Sequence, residues 1–297
     1  MKLFPDYKSK IRVASVQMAL LHTSSFDHLF KRVRAFAEEA TRQKADFICF
    51  PEHFTLQLLS GAAQKMSPEA SIESLTEKTE RIAAEFTALA KELSINIVCG
   101  SHATRTASGK TENIAFVTRR DGTMASQPKL HPTPDEREVW GIEGGERLGA
   151  IETDCGPIGV QICYDSEFPE LGRRHAEQGV GLVFVPYCTE ARSGHLRVRY
   201  CCHARTVENQ CYIVTSGLVG TIDNVENLDE AYAQSAVLTP SDAGFPPDGI
   251  LTQAPVNEEK LIVADLDMAL LDKARTAGSV RNLADRRSDL YDVRWNL

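Results

Sequence analysis

The chain has 297 residues, enough for one large domain or two small ones. Its 41 acidic and 33 basic residues leave a formal net charge of −8 with no basic block, which argues against nucleic-acid binding and against attachment to an anionic membrane surface. No apolar run approaches the roughly 20 residues of a membrane span, and the opening Met1-Lys2-Leu3-Phe4-Pro5-Asp6-Tyr7-Lys8 lacks the apolar centre of a signal peptide.

Taken in chain order, strand-like apolar runs fall at 11–18, 47–50, 95–100, 114–117, 148–152, 158–163, 181–185, 211–216, 236–239 and 261–264. Helical patterns lie between many of them, at about 26–43, 72–93, 167–178 and 195–209. In the second, Ile82, Phe86, Leu89 and Leu93 recur at spacings of 3 and 4, as one buried face requires. Strands alternating with helices predict a layered α/β fold. Asp121-Gly122 predicts a hairpin turn, so the sheet is expected to be mixed. The loop 239–247 punctuates a late hairpin, and the polar stretch after Asp267, with Arg281, Arg286 and Arg287, reads as a tail that packs on a partner chain. With no linker in sight, the expectation is a single domain over 1–297, its core at about 11–267 and its tail at 268–297.

Eight cysteines are present, at 49, 99, 155, 163, 188, 201, 202 and 211, with no CxxC pair and no zinc-ligand spacing. Together with the absence of an export signal they read as reduced thiols in a cytoplasmic protein. Most sit in apolar runs as small buried hydrophobes. Cys163 stands apart because it ends a strand where a helix is expected to begin, and N–H groups of a first helical turn favour a thiolate and hold an oxyanion. Ligands in open α/β sheets collect at the carboxyl ends of strands. Glu52 and Lys129 lie at two further such ends, after 47–50 and after the extended run 124–128. Each has an ordinary reading, a solvated carboxylate and a solvated amine, beside the functional one of general base and fixed positive charge.

Three segments in order carry a resemblance: Pro51-Glu52; Lys129-Leu130-His131-Pro132-Thr133-Pro134-Asp135-Glu136-Arg137; and Cys163-Tyr164-Asp165-Ser166-Glu167-Phe168-Pro169-Glu170. With Ile11 to Met18, Gly144-Gly145-Glu146 and Ala204-Arg205-Thr206-Val207-Glu208-Asn209-Gln210, they make the chain resemble the nitrilase superfamily of carbon–nitrogen hydrolases over nearly its whole length. The segments 50–59 and 208–212 look most like a branch whose hydrolase domain is sometimes fused to an acetyltransferase. This chain is expected to hold the hydrolase alone. The resemblance implies a four-layer αββα sandwich with mixed sheets and a Glu-Lys-Cys triad matching Glu52, Lys129 and Cys163. It also implies a second glutamate, placed on Glu136 with Glu138 in reserve, and pairing into a homodimer or larger homo-oligomer through the helices at 167–178 and 195–209.

The implied chemistry is attack of the Cys163 thiolate on a small amide or carbamoyl compound, giving a thioester that water then hydrolyses. The oxyanion is expected to face Lys129 and a backbone N–H near Tyr164, and Asp165 to orient the nucleophile turn or cap the following helix. His131 reads as a structural histidine or a substrate contact, and Tyr187, Cys188 and Thr189 as pocket lining at another strand end. Arg192 reads as a surface ion pair or a contact for an acidic substrate group. No metal and no cofactor is called for. A nitrile is the rival substrate, and a non-catalytic binding protein or a thiol sensor with Cys188 as resolving cysteine are the rivals from other classes.

Overall fold

The computed structural model describes residues 6–62, 64–225, 228, 230–292 and 294–296; Met1 to Pro5, and so most of the segment read for an export signal, lie outside the described residues. The first half runs β1 (Lys10–Ala19), α1 (Phe26–Arg42), β2 (Phe47–Cys49), a 3-10 turn (Phe54–Leu59), α2 (Pro68–Thr76), α3 (Thr79–Leu93), β3 (Asn96–Val98), β4 (His102–Arg105), β5 (Thr111–Thr118) and β6 (Met124–Pro128). The second half runs α4 (Pro134–Glu138), β7 (Ile158–Val160), a second 3-10 turn (Cys163–Glu167), α5 (Pro169–Glu177), β8 (Leu182–Tyr187), α6 (Arg192–Asn209) and β9 (Tyr212–Thr221). It closes with β10 (Glu230–Ala231), β11 (Ala236–Leu238), β12 (Ile250–Gln253), β13 (Lys260–Asp267) and α7 (Met268–Ala277).

Two sheets result. In the first, β1, β2 and β3 run parallel, β13 lies antiparallel along β1, and β5 pairs antiparallel with β3, β4 and β6. In the second, β7, β8 and β9 run parallel and β11 and β12 follow antiparallel. The end of β1 pairs with β9 at Met18 and Ala19, which ties the sheets together.

The period of two along β1 explains the layering. Ile11 and Val13 join the core shared with Val160, Leu182, Phe184 and Val214 of the second sheet, and Ser15 donates across to the Thr215 carbonyl at 2.7 Å. Ala14, Val16 and Met18 face the other way, onto Leu29 and Val33 of α1 and Phe86 of α3. Helices α5 and α6 cover the second sheet from outside, where the His175 ring lies close over Gly159 of β7 and Val198 and Cys202 join the core. The order of layers is therefore helix, sheet, sheet, helix, as the resemblance implied.

Several expected elements differ. The single helix at 72–93 is two, because the chain breaks at Glu77 and Lys78, where the Lys78 ammonium takes the Ser74 carbonyl (2.6 Å) and hydroxyl (3.0 Å) at the end of α2. The run 148–152 contributes one bridge, Ile151 to Ile158, because the tight turn before Gly156 (φ +110°) brings the chain straight back. The stretch after Asp267 opens as a helix on the chain's own body. In it, Arg275 is 1% exposed and donates to the carbonyls of Gln210 (2.8 Å) and Val180 (2.9 Å). Beyond it, Arg286 pairs with Glu177 of α5 at 2.9 Å. The Asp121-Gly122 hairpin between β5 and β6 forms as expected, with Gly122 at φ +87°.

Candidate active site

Both sheets contribute to one cavity. Glu52 follows β2 and bridges to Ser101 beyond β3. Lys129 follows β6, its N–H donating to the Asn113 carbonyl (2.8 Å) and its carbonyl accepting from Gly145 (2.9 Å). Gly144 and Gly145 fit there because a side chain would strike the Leu130 carbonyl (2.6 Å) or the Pro128 ring (2.4 Å), which accounts for the Gly-Gly of the sequence motif. From the second sheet come Cys163, past β7, and Cys188, past β8. Cys163 has φ +48°, the strained left-handed geometry that turns its side chain out of the strand direction. Glu136 comes from α4, whose capping box joins Thr133 and Glu136 reciprocally.

The side chains meet in a buried network. Lys129 Nζ donates to Glu52 Oε1 at 2.8 Å and to Glu136 Oε2 at 2.5 Å. Asn113 Nδ2 donates to Glu52 Oε1 (3.0 Å) and Glu136 Oε1 (2.8 Å). His53 Nε2 lies 3.0 Å from Glu136 Oε1, and the Thr133 N–H donates to Glu136 Oε2 at 2.8 Å. Glu52 Oε2 accepts the Cys188 N–H at 2.9 Å, and the Cys163 thiol reaches the Cys188 carbonyl at 3.6 Å. With His53 protonated on Nε2, all four acceptor positions of Glu136 are filled, whereas Glu52 keeps one for the thiol beside it.

Electrostatics separate the groups further. Burial, then the negative charge of Glu52, push the Cys163 thiol well above its usual range, and Lys129 offsets only part of this. The thiolate expected from a helix N-terminus is thus corrected. The residues from Cys163 form a short 3-10 turn, α5 begins only at Pro169, and a carboxylate sits beside the sulfur. Burial alone would lower Lys129, but Glu136 and Glu52 hold it well above the usual amine range. Burial likewise opposes ionisation of Glu136, yet Lys129 and His53 keep its carboxyl well below the usual range. Glu52, His53 and Glu136 stand close enough to share a metal ion. The Lys129 ammonium already bonds both carboxylates, so it supplies the positive charge a cation would bring.

The cavity holds about 590 Å³ and is lined by Glu52, Lys129, Glu136, Cys163, Tyr164, Cys188 and Thr189 among the expected residues. Three expected pocket residues stand elsewhere. Tyr187 is buried behind the wall, 3.2 Å from His195 Nδ1 and accepting from Gln234 N at 3.1 Å. Arg192 opens α6 on the exposed surface outside the cavity lining. His131 bonds Asp165 Oδ1 through Nδ1 at 2.9 Å and stacks on Phe168. Asp165 accepts from the lysine loop, so its role differs from a helix cap. Glu138, the reserve for the second glutamate, is exposed. Residues not anticipated are His53, Trp140 and Arg197 in the lining and Asn113 behind it. The Glu52-His53 neighbourhood was the one available signal for His53.

A family model described as carbon–nitrogen hydrolase matches residues 12–276. The chain therefore belongs to the carbon–nitrogen hydrolase family, the nitrilase superfamily. It is 44% identical over 291 residues to "Probable hydrolase YhcX" of Bacillus subtilis, an alignment that takes in 97% of this chain and 56% of that protein; the chain thus spans about half the length of that relative. It is 28% identical to the human (Homo sapiens) "Omega-amidase NIT2", covering 96% of this chain and 98% of that one. Among solved structures, Saccharomyces cerevisiae Nit3, a member of branch 10 of the nitrilase superfamily, superposes with a TM-score of 0.75 at 25% identity, covering 91% of this chain and 95% of that one. An amidase from Nesterenkonia sp. AN1 in complex with acrylamide shares the fold, with a TM-score of 0.75 at 20% identity over 97% of this chain and 98% of that one.

Proposed function

We propose that the chain hydrolyses the C–N bond of a small amide or carbamoyl compound through a thioester on Cys163. Glu52 takes the thiol proton as sulfur attacks the carbonyl carbon, and the carbonyl π electrons move to oxygen facing Lys129 and a backbone N–H of the nucleophile turn. The C–N bond then breaks, the nitrogen leaving as ammonia or amine with the proton from Glu52. Water, deprotonated by Glu52, attacks the thioester; the acid leaves and the thiol is restored. Glu136, its acceptor positions filled, holds Lys129 and moves no proton.

One observation carries this reading: a single carboxylate, Glu52, bonds Lys129 Nζ at 2.8 Å and stands beside the Cys163 thiol, which burial and that carboxylate push above its usual range. Glu52, with one acceptor position left open toward the sulfur, is the carboxylate placed to take its proton. The omega-amidase names among the relatives support an amide substrate. A nitrile would use the same groups and is the second reading. The reading also places the protein in the cytoplasm, consistent with eight free thiols, and pairs two copies through α5 and α6, where Tyr200 is 64% and Val207 39% exposed. Among the described residues no helix is long and apolar enough to cross a membrane.

The test is ammonia release from a panel of amides, carbamoyl amines and nitriles, with Cys163→Ala beside the native protein. Release from amides that disappears in the variant is expected. Release from nitriles alone moves the assignment to the second reading. Release that survives in the variant, or a native protein inert toward the whole panel with no covalent adduct on Cys163, overturns the proposal.

A further inference from the structure

The two halves of the site belong to different sheets. Lys129 ends β6 of the first, and Cys163 follows β7 of the second. Attack on a carbonyl needs the sulfur and the ammonium on the same substrate at the same moment, and a misplacement of about 1 Å can cost on the order of 100-fold in rate. Apolar packing between the sheets is non-directional, and the directional links described above, Ser15 to Thr215, β1 to β9 and Cys188 to Glu52, do not touch the backbone that carries Lys129. The bonds that join the lysine loop to the nucleophile turn are therefore the ones that bear on this distance.

We infer that Asp165 and His131 form this clamp, positioning residues that fix Lys129 against Cys163; the inference rests on the amidase reading for its kinetic consequence. Asp165 is two residues beyond the nucleophile and 1% exposed. Its Oδ2 accepts the Leu130 N–H at 3.2 Å, and its Oδ1 accepts the His131 N–H at 2.9 Å. The same Oδ1 accepts from His131 Nδ1 at 2.9 Å. One carboxylate of the nucleophile turn thus holds the two residues that follow Lys129. The His131 ring then lies flat on Phe168, at the end of the same turn, with centroids 3.6 Å apart and planes 9° from parallel. The turn from Cys163 to Phe168 is therefore held by the lysine loop at Asp165 and again at Phe168. None of these groups lines the cavity, so they act through Lys129 and Cys163 and not on the substrate.

His131 is the safer handle because its side chain is 32% exposed, so its replacement is expected to disturb the fold less than a change at the buried Asp165. His131→Ala removes the side-chain bond and the stack; His131→Asn keeps an N–H for Asp165 and loses only the stack. Asp165→Asn disturbs the backbone pair directly. The expected result is a fall in kcat of roughly 10-fold for His131→Ala and roughly 100-fold for Asp165→Asn, with KM changed by less than about 3-fold and partial recovery in His131→Asn. Alkylation of Cys163 by a haloacetamide, which generates no oxyanion, is expected to change much less than turnover. Equal loss of turnover and alkylation, or a change in KM alone, overturns the clamp. Crystal structures of native and His131→Ala protein provide a readout independent of activity: Lys129 Nζ is expected to shift relative to Cys163 Sγ, and an unchanged separation overturns the clamp. A native protein without amide turnover would sink the amidase reading, and the crystallographic comparison would then decide the clamp alone.

Discussion

At the scale of single residues, the site is a charge arrangement before it is a reaction. Three ionisable groups, Glu52, Glu136 and Lys129, are buried together and bonded at 2.5 and 2.8 Å. Removing the cation leaves two carboxylates in a low-dielectric pocket, so Lys129→Met is expected to lose about 3–5 kcal/mol of stability in addition to activity. Urea unfolding measures this; a stability within about 1 kcal/mol of native would show that the carboxylates do not depend on the lysine. The Glu52 charge raises the Cys163 thiol, so Glu52→Gln has two opposite effects. Turnover is expected to fall at least about 100-fold for want of the base, while the thiol ionises at lower pH than in the native protein. Ultraviolet titration of the thiolate checks the second effect, and an upward shift would contradict it. Glu52, Lys129 and Cys163 each follow a strand, which made them candidates, but it was the resemblance of their three segments to the nitrilase superfamily that singled them out as a set. His53 and Asn113 were not singled out: adjacency to Glu52 was the one mark on His53, and no local pattern shows that it or a mid-strand asparagine faces a glutamate 83 or 23 residues away. Tyr187 was misplaced for a related reason. All six residues of β8 are buried, so no alternation tells which side chain meets the cavity.

At the scale of elements, short backbone features aim the long strands. Gly100, at φ +67°, packs so closely on the Pro51 carbonyl that a Cβ would lie 2.1 Å from that oxygen. The next residue, Ser101, bridges to Glu52 and accepts the His53 N–H at 3.2 Å. Gly100→Ala is thus expected to push the Pro51-Glu52 segment away from Lys129, costing more than about 1 kcal/mol in strain and a large part of kcat. Native stability with native turnover in this variant would show that the segment gives way without moving Glu52. Here the sequence was least informative: a glycine at the end of an apolar run resembles a strand terminus, and only the contact with Pro51 gives it its role. β1 and α1 were read to within a residue at each end, since their apolar pattern runs through nearly their whole length, whereas β5, β9 and β13 extend three to five residues beyond the apolar runs that marked them. The division between α2 and α3 escaped because the apolar spacing continues across it, and the break depends on a lysine side chain reaching back one turn.

For the whole molecule, the same burial that builds the core sets its pH range. His102 is pushed down to about 3 and His175 to about 4, in both mainly by burial, from an ordinary value of 6.5. Cys99, Cys202 and Cys211 are pushed up to about 12, again mainly by burial, from an ordinary value of 9.0. As pH falls below 6.5 the unfolded chain takes up histidine protons that the folded one refuses, so stability declines toward pH 4. As pH rises above 9.0 the unfolded chain releases thiol protons that the folded one keeps, so stability declines again toward pH 12. Each group contributes a slope of up to about 1.4 kcal/mol per pH unit within its own window. The expected profile is a plateau between the histidine and thiol windows with a fall on both sides, measured by urea unfolding under reducing conditions. Replacing Cys202 with Ala should flatten the alkaline limb by up to one thiol's slope and leave the acid limb as it was. An alkaline limb that does not fall, or one indifferent to that substitution, would mean that the buried thiols ionise freely in the folded chain, and the dry core between helix and sheet described for Cys202 would be wrong.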